Sequence, residues 1–195
     1  MVQIHSRDST PRRDPIPFGA LRIEAFVETR QVKEFDCGND DLNSFLCSEE
    51  VSKYESQGLG HTYLVYYQND GCLVAYFTIS ADALRVEYLK SVKSFKPLSE
   101  IKAETIPSVK IGRLAVQKEY QHSRIGSYIL NYIGHVALST PFAARLLIVQ
   151  AKPQSVAFYE KLGFELTNET GRERNRHNRT MFFDLSNLPR IARQI

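Results

Sequence analysis

One stretch of the sequence joins a predicted strand, a loop and a helix start in an order that could hold a phosphate group. Residues 109–116 (VKIGRLAV) predict a strand, and an apolar helical face begins near Ile125. The first N–H groups of a helix have no partner within it, and the helix dipole favours negative charge there. Gly126 lets a ligand approach the backbone, and Ser127 adds a hydroxyl. This pattern predicts a phosphate site, but taken alone it is a nonspecific signal.

A second informative segment, residues 155–164 (SVAFYEKLGF), lies further along the chain. The ordinary interpretation is core packing by Phe158 and Tyr159, followed by a helix end at Gly163. The functional alternative is that the Tyr159 hydroxyl faces a cleft and donates a proton to a leaving group.

In this order, the two segments resemble the GNAT superfamily of acetyl-CoA-dependent N-acetyltransferases. Gln121 and Gly126, followed by Ser127, match the loop signature Q/R-x-x-G-x-G/A, and FYEKLGF matches the element F-Y-x-x-x-G-F. The resemblance covers about residues 20–185. It implies one mixed α/β (α+β) domain, with a mostly antiparallel central sheet, a parallel strand pair at the acetyl-CoA cleft, and flanking helices.

The resemblance also implies the roles of individual residues. Acetyl-CoA would be the co-substrate, held by strand amides of the segment Leu114, Ala115 and Val116, and Leu114 N–H would polarise the thioester carbonyl. The acceptor amine would attack directly, and Tyr159 would protonate the departing thiolate. The further residues implied to bind the cofactor are Gln121, His122, Ser123, Arg124, Ile125, Gly126, Ser127, Lys152, Ser155 and Phe158.

Three positions depart from the family pattern. Arg124 replaces the first glycine of the loop signature. Because a non-glycine residue favours negative φ, we expect either a less strained loop or a loop that specially accommodates the arginine. The arginine side chain could lie beside a phosphate. Lys152 replaces a frequent asparagine, and Lys110 stands where many relatives carry a carboxylate. Without that base, an α-amine, with a pKa near 8, is a better acceptor than a lysine side chain, with a pKa of about 10.4.

A subgroup resemblance bears on the acceptor. The stretches Phe35-x-Cys37-Gly38 and LNSFL, together with IGRLAV, resemble toxin-type GNAT enzymes that acetylate the amine of aminoacyl-tRNA. Such toxins are usually held by a small antitoxin. Three acceptor classes stay open: a small molecule, a peptide and aminoacyl-tRNA. Exposed edge strands in this architecture also suggest a homodimer.

Composition limits the remaining functions. The chain has 195 residues, 43% hydrophobic, a net charge of +3 and three scattered cysteines, which predicts one globular domain without a disulfide framework. Six arginines against two acidic residues in 172–195 leave a basic-tailed nucleic-acid-binding protein, or a non-catalytic coenzyme A-binding protein, as alternatives.

The dispersed histidines argue against a metal site. No apolar run is long enough to span a membrane and no secretory signal occurs, so we expect a cytoplasmic protein.

The coarse organisation is an N-terminal arm at 1–17, a domain at 18–188 and a tail at 189–195. A helix capped by Asn39 or Asp40 is predicted, and an amphipathic helix followed by an irregular crossover is predicted within 82–106. Another helix follows near Ile125, and a short one begins around Pro153. The predicted strands are 21–27, 61–67, 72–80, 109–116, 145–151 and 179–185.

Overall fold

The computed structural model describes residues 16–27, 32–95, 102–168 and 178–188, which form a mixed α/β domain. Its seven strands make one sheet in the order β1-β2-β3-β4-β5-β7-β6. The strands are β1 (Leu21–Ala25), β2 (His61–Tyr67), β3 (Leu73–Arg85), β4 (Thr105–Val116), β5 (Leu146–Ala151), β6 (Glu165–Leu166) and β7 (Arg179–Asp184). The helices are α1 (Asp40–Cys47), α2 (Glu50–Ser56), α3 (Ile125–Ser139) and α4 (Val156–Glu160).

The parallel pair β4 and β5 opens a wedge in this sheet. The two strands pair only over Ser108–Ile111 and Leu146–Val149. Beyond Ile111, β4 stays paired with β3 as far as Val116, whereas the end of β5 stays paired with β7. The strands therefore part at their carboxyl ends, where ligands of open sheets containing parallel strands commonly bind. This confirms the predicted fold class, including the parallel pair.

Apolar clusters cover both faces of the sheet because successive side chains of a strand point to opposite sides. On one face, Val65 and Phe77 pack with the buried face of α3. On the other face, Leu64 and Tyr76 pack with Phe45 of α1 and Val51 of α2. The sheet is therefore buried on both sides, and the wedge between β4 and β5 lies between two packed layers.

The first helical region forms two helices rather than a continuous one. Asn39 caps α1 by accepting a hydrogen bond from Leu42 N–H at 3.3 Å, as the sequence predicted. The helix ends at Cys47, and Ser48 Oγ then accepts from Glu50 N–H at 3.2 Å as α2 begins. Val51, which continued the apolar spacing of α1, is buried from the second helix.

The predicted helix within 82–106 is wrong. β3 continues to Arg85, and Ala81–Arg85 pair with Thr105–Val109 of a β4 that begins earlier than predicted. The apolar spacing around Leu84 fits a helix locally, but pairing with β4 satisfies the backbone of the whole segment and decides the structure. In the described part of this segment, residues 82–95 and 102–106, only Val86–Tyr88 form a helical turn, of the 3-10 type. Leu84, Leu89 and Phe95 are buried in a separate apolar cluster.

Other predictions have mixed outcomes. Strand β6 was not predicted, and β1 ends two residues before the predicted boundary. The arm before residue 16, the tail 189–195 and all arginines of the basic segment except Arg179 lie outside the described residues. Within the described ranges, no helix is long and apolar enough to cross a membrane, and no group of three or more potential metal ligands converges.

Candidate active site

A cleft of about 450 Å³ occupies the wedge where β4 leaves β5. Its walls come from the end of β4, the loop of residues 117–124, the start of α3 and the segment around α4. We call residues 117–124 the cleft loop. The lining residues are Leu114, Val116, Tyr120, Gln121, His122, Arg124, Ile125, Gly126, Ser127, Gln154, Ser155, Phe158 and Tyr159.

The hydrogen-bond pattern of β4 gives the direction of its last amides. Gln117 N–H donates to Val74 O of the β3 side at 2.8 Å. Val116 and Leu114, opposite Ala75 and Phe77, occupy the alternate, non-hydrogen-bonded pairs of this antiparallel ladder. Their N–H groups therefore point away from β3, toward the space that β5 has vacated.

The cleft loop has an unusual backbone conformation. His122 and Arg124 have φ values of 65° and 66°, in the left-handed region that favours glycine. The expectation that an arginine here requires negative φ is therefore wrong: Arg124 keeps a glycine-like conformation. The left-handed geometry costs roughly 1–2 kcal/mol for each such residue, so other contacts must hold this loop.

Helix α3 presents free amides to the cleft. Arg124 is its N-cap residue, and no side chain caps the helix there. The first backbone bond that closes a helical turn runs from Tyr128 N–H to Arg124 O at 3.0 Å, so the preceding amides have no partner within the helix. Gly126 leaves room for close approach, since an added Cβ would lie 2.9 Å from Phe158 Cζ. This is suitable geometry for binding an anion.

Tyr159 is the buried titratable side chain of the cleft. It is 6% exposed, and its ring makes edge-on contacts with Phe158 and Phe164 at centroid distances of 5.1 and 5.3 Å. Burial raises the pKa of Tyr159 to about 12 because the phenolate loses its hydration. Within the described residues its hydroxyl has no hydrogen-bond partner, so it can donate to a bound molecule.

The structure brings most of the sequence-predicted site residues together, but three lie elsewhere. Ala115 is buried in the cluster on the opposite face of the sheet, and Ser123 is buried within the loop, where its hydroxyl donates to Tyr120 O. Lys152 forms an ion pair with Asp41, with 3.1 Å between Nζ and Oδ2. None of these three side chains lines the cleft.

Sequence reasoning missed two lining residues, Tyr120 and Gln154. The Tyr120 hydroxyl donates to Asp70 of the β2–β3 turn at 3.3 Å, so its position depends on a contact between distant segments. Gln154 belongs to the 3-10 turn before α4. Adjacency to Gln121 and Ser155 was the available signal, but neither residue belongs to a motif.

The position four residues before Leu114 carries a paired cation rather than a base. Lys110 Nζ lies 3.7 Å from Asp82 Oδ2. No aspartate or glutamate lines the cleft within the described ranges. A proton from an acceptor amine must therefore leave through solvent, to His122 of the lining, or to a group outside this lining.

The family comparison covers the part of the chain that forms the cleft. Residues 97–182 match the model of the family described as an acetyltransferase (GNAT) domain. Over these residues, which are just under half of the chain, the protein is similar to GNAT acetyltransferases. No curated protein matches it in sequence.

Solved structures of toxins have the same fold. AtaT complexed with acetyl-methionyl-tRNAfMet is 24% identical, with a TM-score of 0.69 and coverage of 85% of this chain and 95% of that chain. A tyrosine-to-phenylalanine mutant of KacT is also 24% identical, with a TM-score of 0.70 and coverage of 86% and 96%. An AtaT tyrosine mutant bound to the C-terminus of the antitoxin AtaR and acetyl-CoA is 22% identical, with a TM-score of 0.64 and coverage of 86% and 94%. Identities at this level show the fold alone.

Proposed function

We propose that the protein transfers the acetyl group of acetyl-CoA to a primary amine, and that this amine is the α-amino group of an aminoacyl-tRNA. The observation that carries the acetyl transfer is the cleft itself, whose walls combine outward-facing strand amides, uncapped helix amides and a buried tyrosine hydroxyl. These groups match the successive parts of the donor: an amide-containing arm, a diphosphate and a thiolate leaving group.

The donor would be bound mainly by backbone groups. Leu114 and Val116 N–H, which point into the wedge, would pair with the pantetheine arm as an added strand does. The amides of Ile125, Gly126 and Ser127 would hold the diphosphate. Leu114 N–H would also stabilise the negative charge that develops on the thioester oxygen.

The chemical step would be a direct attack without a covalent enzyme intermediate. The unprotonated amine attacks the thioester carbon, the carbon–sulfur bond breaks, and the thiolate takes a proton from the Tyr159 hydroxyl. With a pKa of about 12, Tyr159 carries its proton at neutral pH. Transfer to a thiolate, whose thiol has a pKa of about 8.5, is uphill and is driven by the negative charge that develops as the carbon–sulfur bond breaks. The amine loses its own proton to water, because no carboxylate lines the cleft in the described residues, and the Tyr159 phenolate regains a proton from solvent.

Two observations support an aminoacyl-tRNA acceptor. An α-amine has a pKa near 8, so about a tenth of it is unprotonated at pH 7, a few hundred times the fraction of a lysine side chain, and it needs a protein base less. The fold is also that of AtaT, which was solved with acetyl-methionyl-tRNAfMet. By the same comparison, the AtaR-bound form of AtaT supports a small antitoxin as the protein partner.

Three measurements on the full chain test this proposal. Calorimetry with coenzyme A should detect binding. Thiol release from acetyl-CoA should be fastest with charged tRNA, and mass spectrometry should find the acetyl group on the α-amine. Faster turnover with free amino acids, peptides or small amines would contradict the acceptor, while binding without any thiol release would indicate a non-catalytic coenzyme A-binding protein. Salt-sensitive RNA binding without any acetyl transfer would instead favour a nucleic-acid-binding module.

A further inference from the structure

We propose that the turn formed by residues 36–43 is a positioning element that holds the cleft loop in its binding conformation, with Asn43 as the residue that organises it. This inference rests on the proposed use of the cleft for acetyl-CoA. The turn lies before and within the first residues of α1, and none of its residues lines the cleft. Its effect on binding must therefore pass through the loop.

Three hydrogen bonds connect the turn to the cleft loop. Lys118 N–H donates to Asp36 O at 2.7 Å, and Asp36 N–H donates to Gln117 Oε1 at 2.9 Å. Gln121 Nε2 donates to Cys37 O at 2.8 Å and also to Val116 O at 3.1 Å. Gln121 thus joins the turn, the end of β4 and the loop through one side chain.

Asn43 fixes the shape of the turn through both ends of its amide. Its Oδ1 accepts from Cys37 N–H at 2.9 Å and from the Cys37 thiol at 3.1 Å. Its Nδ2 donates to Asp36 Oδ1 at 3.1 Å, and the same carboxylate oxygen accepts from Gly38 N–H at 2.7 Å. The bond from Gly38, followed by that from Asn43, lowers the pKa of Asp36, so this carboxylate remains an acceptor at physiological pH.

The loop needs such support because its own backbone conformation is unfavourable. His122 directly follows Gln121, Arg124 lies two positions further on, and both are non-glycine residues with left-handed φ. Strained conformations of this kind persist only where surrounding contacts determine them. Without the bond from Gln121 to Cys37, the loop can relax and turn its amides away from the diphosphate. The turn therefore affects donor affinity rather than the chemical step.

The chain offers a matched control for Asn43. Asn39 belongs to the same turn, but its side chain caps α1 through Leu42 N–H and makes no bond to Asp36 or Cys37 through its amide. Asn39→Ala should lower the Tm through the lost cap. It should leave the Kd for coenzyme A within about twofold of wild type.

The test compares Asn43→Ala with Asn39→Ala in the full chain by two readouts. Asn43→Ala should raise the Kd for coenzyme A and the KM for acetyl-CoA about tenfold, equivalent to about 1.4 kcal/mol, with kcat nearly unchanged. Without ligand, hydrogen exchange should accelerate at the amides of residues 121–127 in Asn43→Ala but not in Asn39→Ala. Unchanged loop exchange and unchanged affinity in Asn43→Ala would overturn the inference.

A second variant approaches the same contact from the loop side. Gln117→Ala removes the acceptor of Asp36 N–H without changing the turn itself, and it decides the question if Asn43→Ala does not fold. It should weaken coenzyme A binding in the same direction and accelerate the same amides. If wild type binds no coenzyme A, the proposed function fails, while hydrogen exchange still shows whether the turn holds the loop.

Discussion

Two buried tyrosines lie on this domain in regions of opposite character. Tyr76 belongs to the packed face under α1, where it is fully buried beside Phe35 and Phe45. Its hydroxyl donates to Leu42 O at 2.7 Å. Tyr159 is almost as deeply buried, but it lines the cleft and has no hydrogen-bond partner within the described residues. Burial raises the pKa of both phenols.

The difference separates structural polar groups from functional ones. A buried hydroxyl that donates to a backbone carbonyl contributes about 1 kcal/mol to stability and is already used. A hydroxyl that faces a cleft without a protein partner contributes little to stability and is available to a ligand. The same contrast applies to the backbone, since the cleft has uncapped helix amides and two left-handed non-glycine residues. A raised pKa alone therefore does not distinguish a catalytic tyrosine from a packed one.

The largest expected effect separates the two tyrosines by activity. Tyr159→Phe removes the proposed proton donor and should lower kcat about 100-fold or more, with the Kd for coenzyme A nearly unchanged. Thiol release under single-turnover conditions measures the loss. Tyr132→Phe is a suitable control, because Tyr132 packs against the same core cluster without lining the cleft. Wild-type rates in Tyr159→Phe would remove the general-acid role and leave Tyr159 with a packing role like that of Tyr76.

The second prediction concerns Tyr76, whose substitution should change stability and leave activity nearly unchanged. Tyr76→Phe removes the hydrogen bond from the hydroxyl to Leu42 O and should lower the free energy of unfolding by about 1 kcal/mol. The kcat and the KM for acetyl-CoA should stay close to wild type, because Tyr76 does not line the cleft. Chemical denaturation and steady-state kinetics on the same preparation measure both. A large loss of turnover with intact stability would mean that the two faces are coupled more closely than their contacts indicate.

Alkaline pH provides a third comparison. Tyr159 has a pKa near 10 in the unfolded chain and about 12 in the folded domain, so its contribution to stability is complete below pH 10 and is lost as the pH rises toward 12. At pH 11 this loss amounts to about 1 kcal/mol. The fall in Tm between pH 9 and pH 11 should therefore be smaller for Tyr159→Phe than for wild type. Equal falls would show that the phenol is better solvated than its burial indicates.

The sequence predicted those parts of the cleft whose structure depends on local interactions. The Asn39 cap of α1 and the left-handed Gly163, which has a φ of +85° in the turn after α4, follow from residue types within a few positions. Helix α4 itself ends at Glu160, before the predicted end at Gly163. The parallel pair beside the wedge came from the family resemblance, and the register of β4 against β5 confirms it.

Features that depend on contacts between distant segments could not be predicted in the same way. The end of β3 looked helical because Leu84 and Leu89 have a suitable spacing, but pairing with Thr105–Val109 decides its structure. The left-handed Arg124 is supported by a loop whose Gln121 bonds to Cys37, 84 positions earlier. Tyr120 reaches the cleft wall beside a contact with Asp70. No local sequence pattern predicts the end of β3, the left-handed Arg124 or the position of Tyr120.

The smallest expected effect concerns the strain stored in the cleft region. Arg124→Gly keeps the left-handed backbone at no steric cost and should raise the free energy of unfolding by about 0.5–1 kcal/mol, because the strain relieved exceeds the added entropy of the unfolded chain. In the Arg124→Gly background, Asn43→Ala should also raise the Kd for coenzyme A less than in wild type, since less strain then acts on the loop. A double-mutant cycle in stability and in Kd measures both quantities. The left-handed conformation is not a source of strain if Arg124→Gly lowers stability, or if Asn43→Ala raises the Kd for coenzyme A equally in both backgrounds. In that case the cleft and the packed face differ only in their hydrogen bonds.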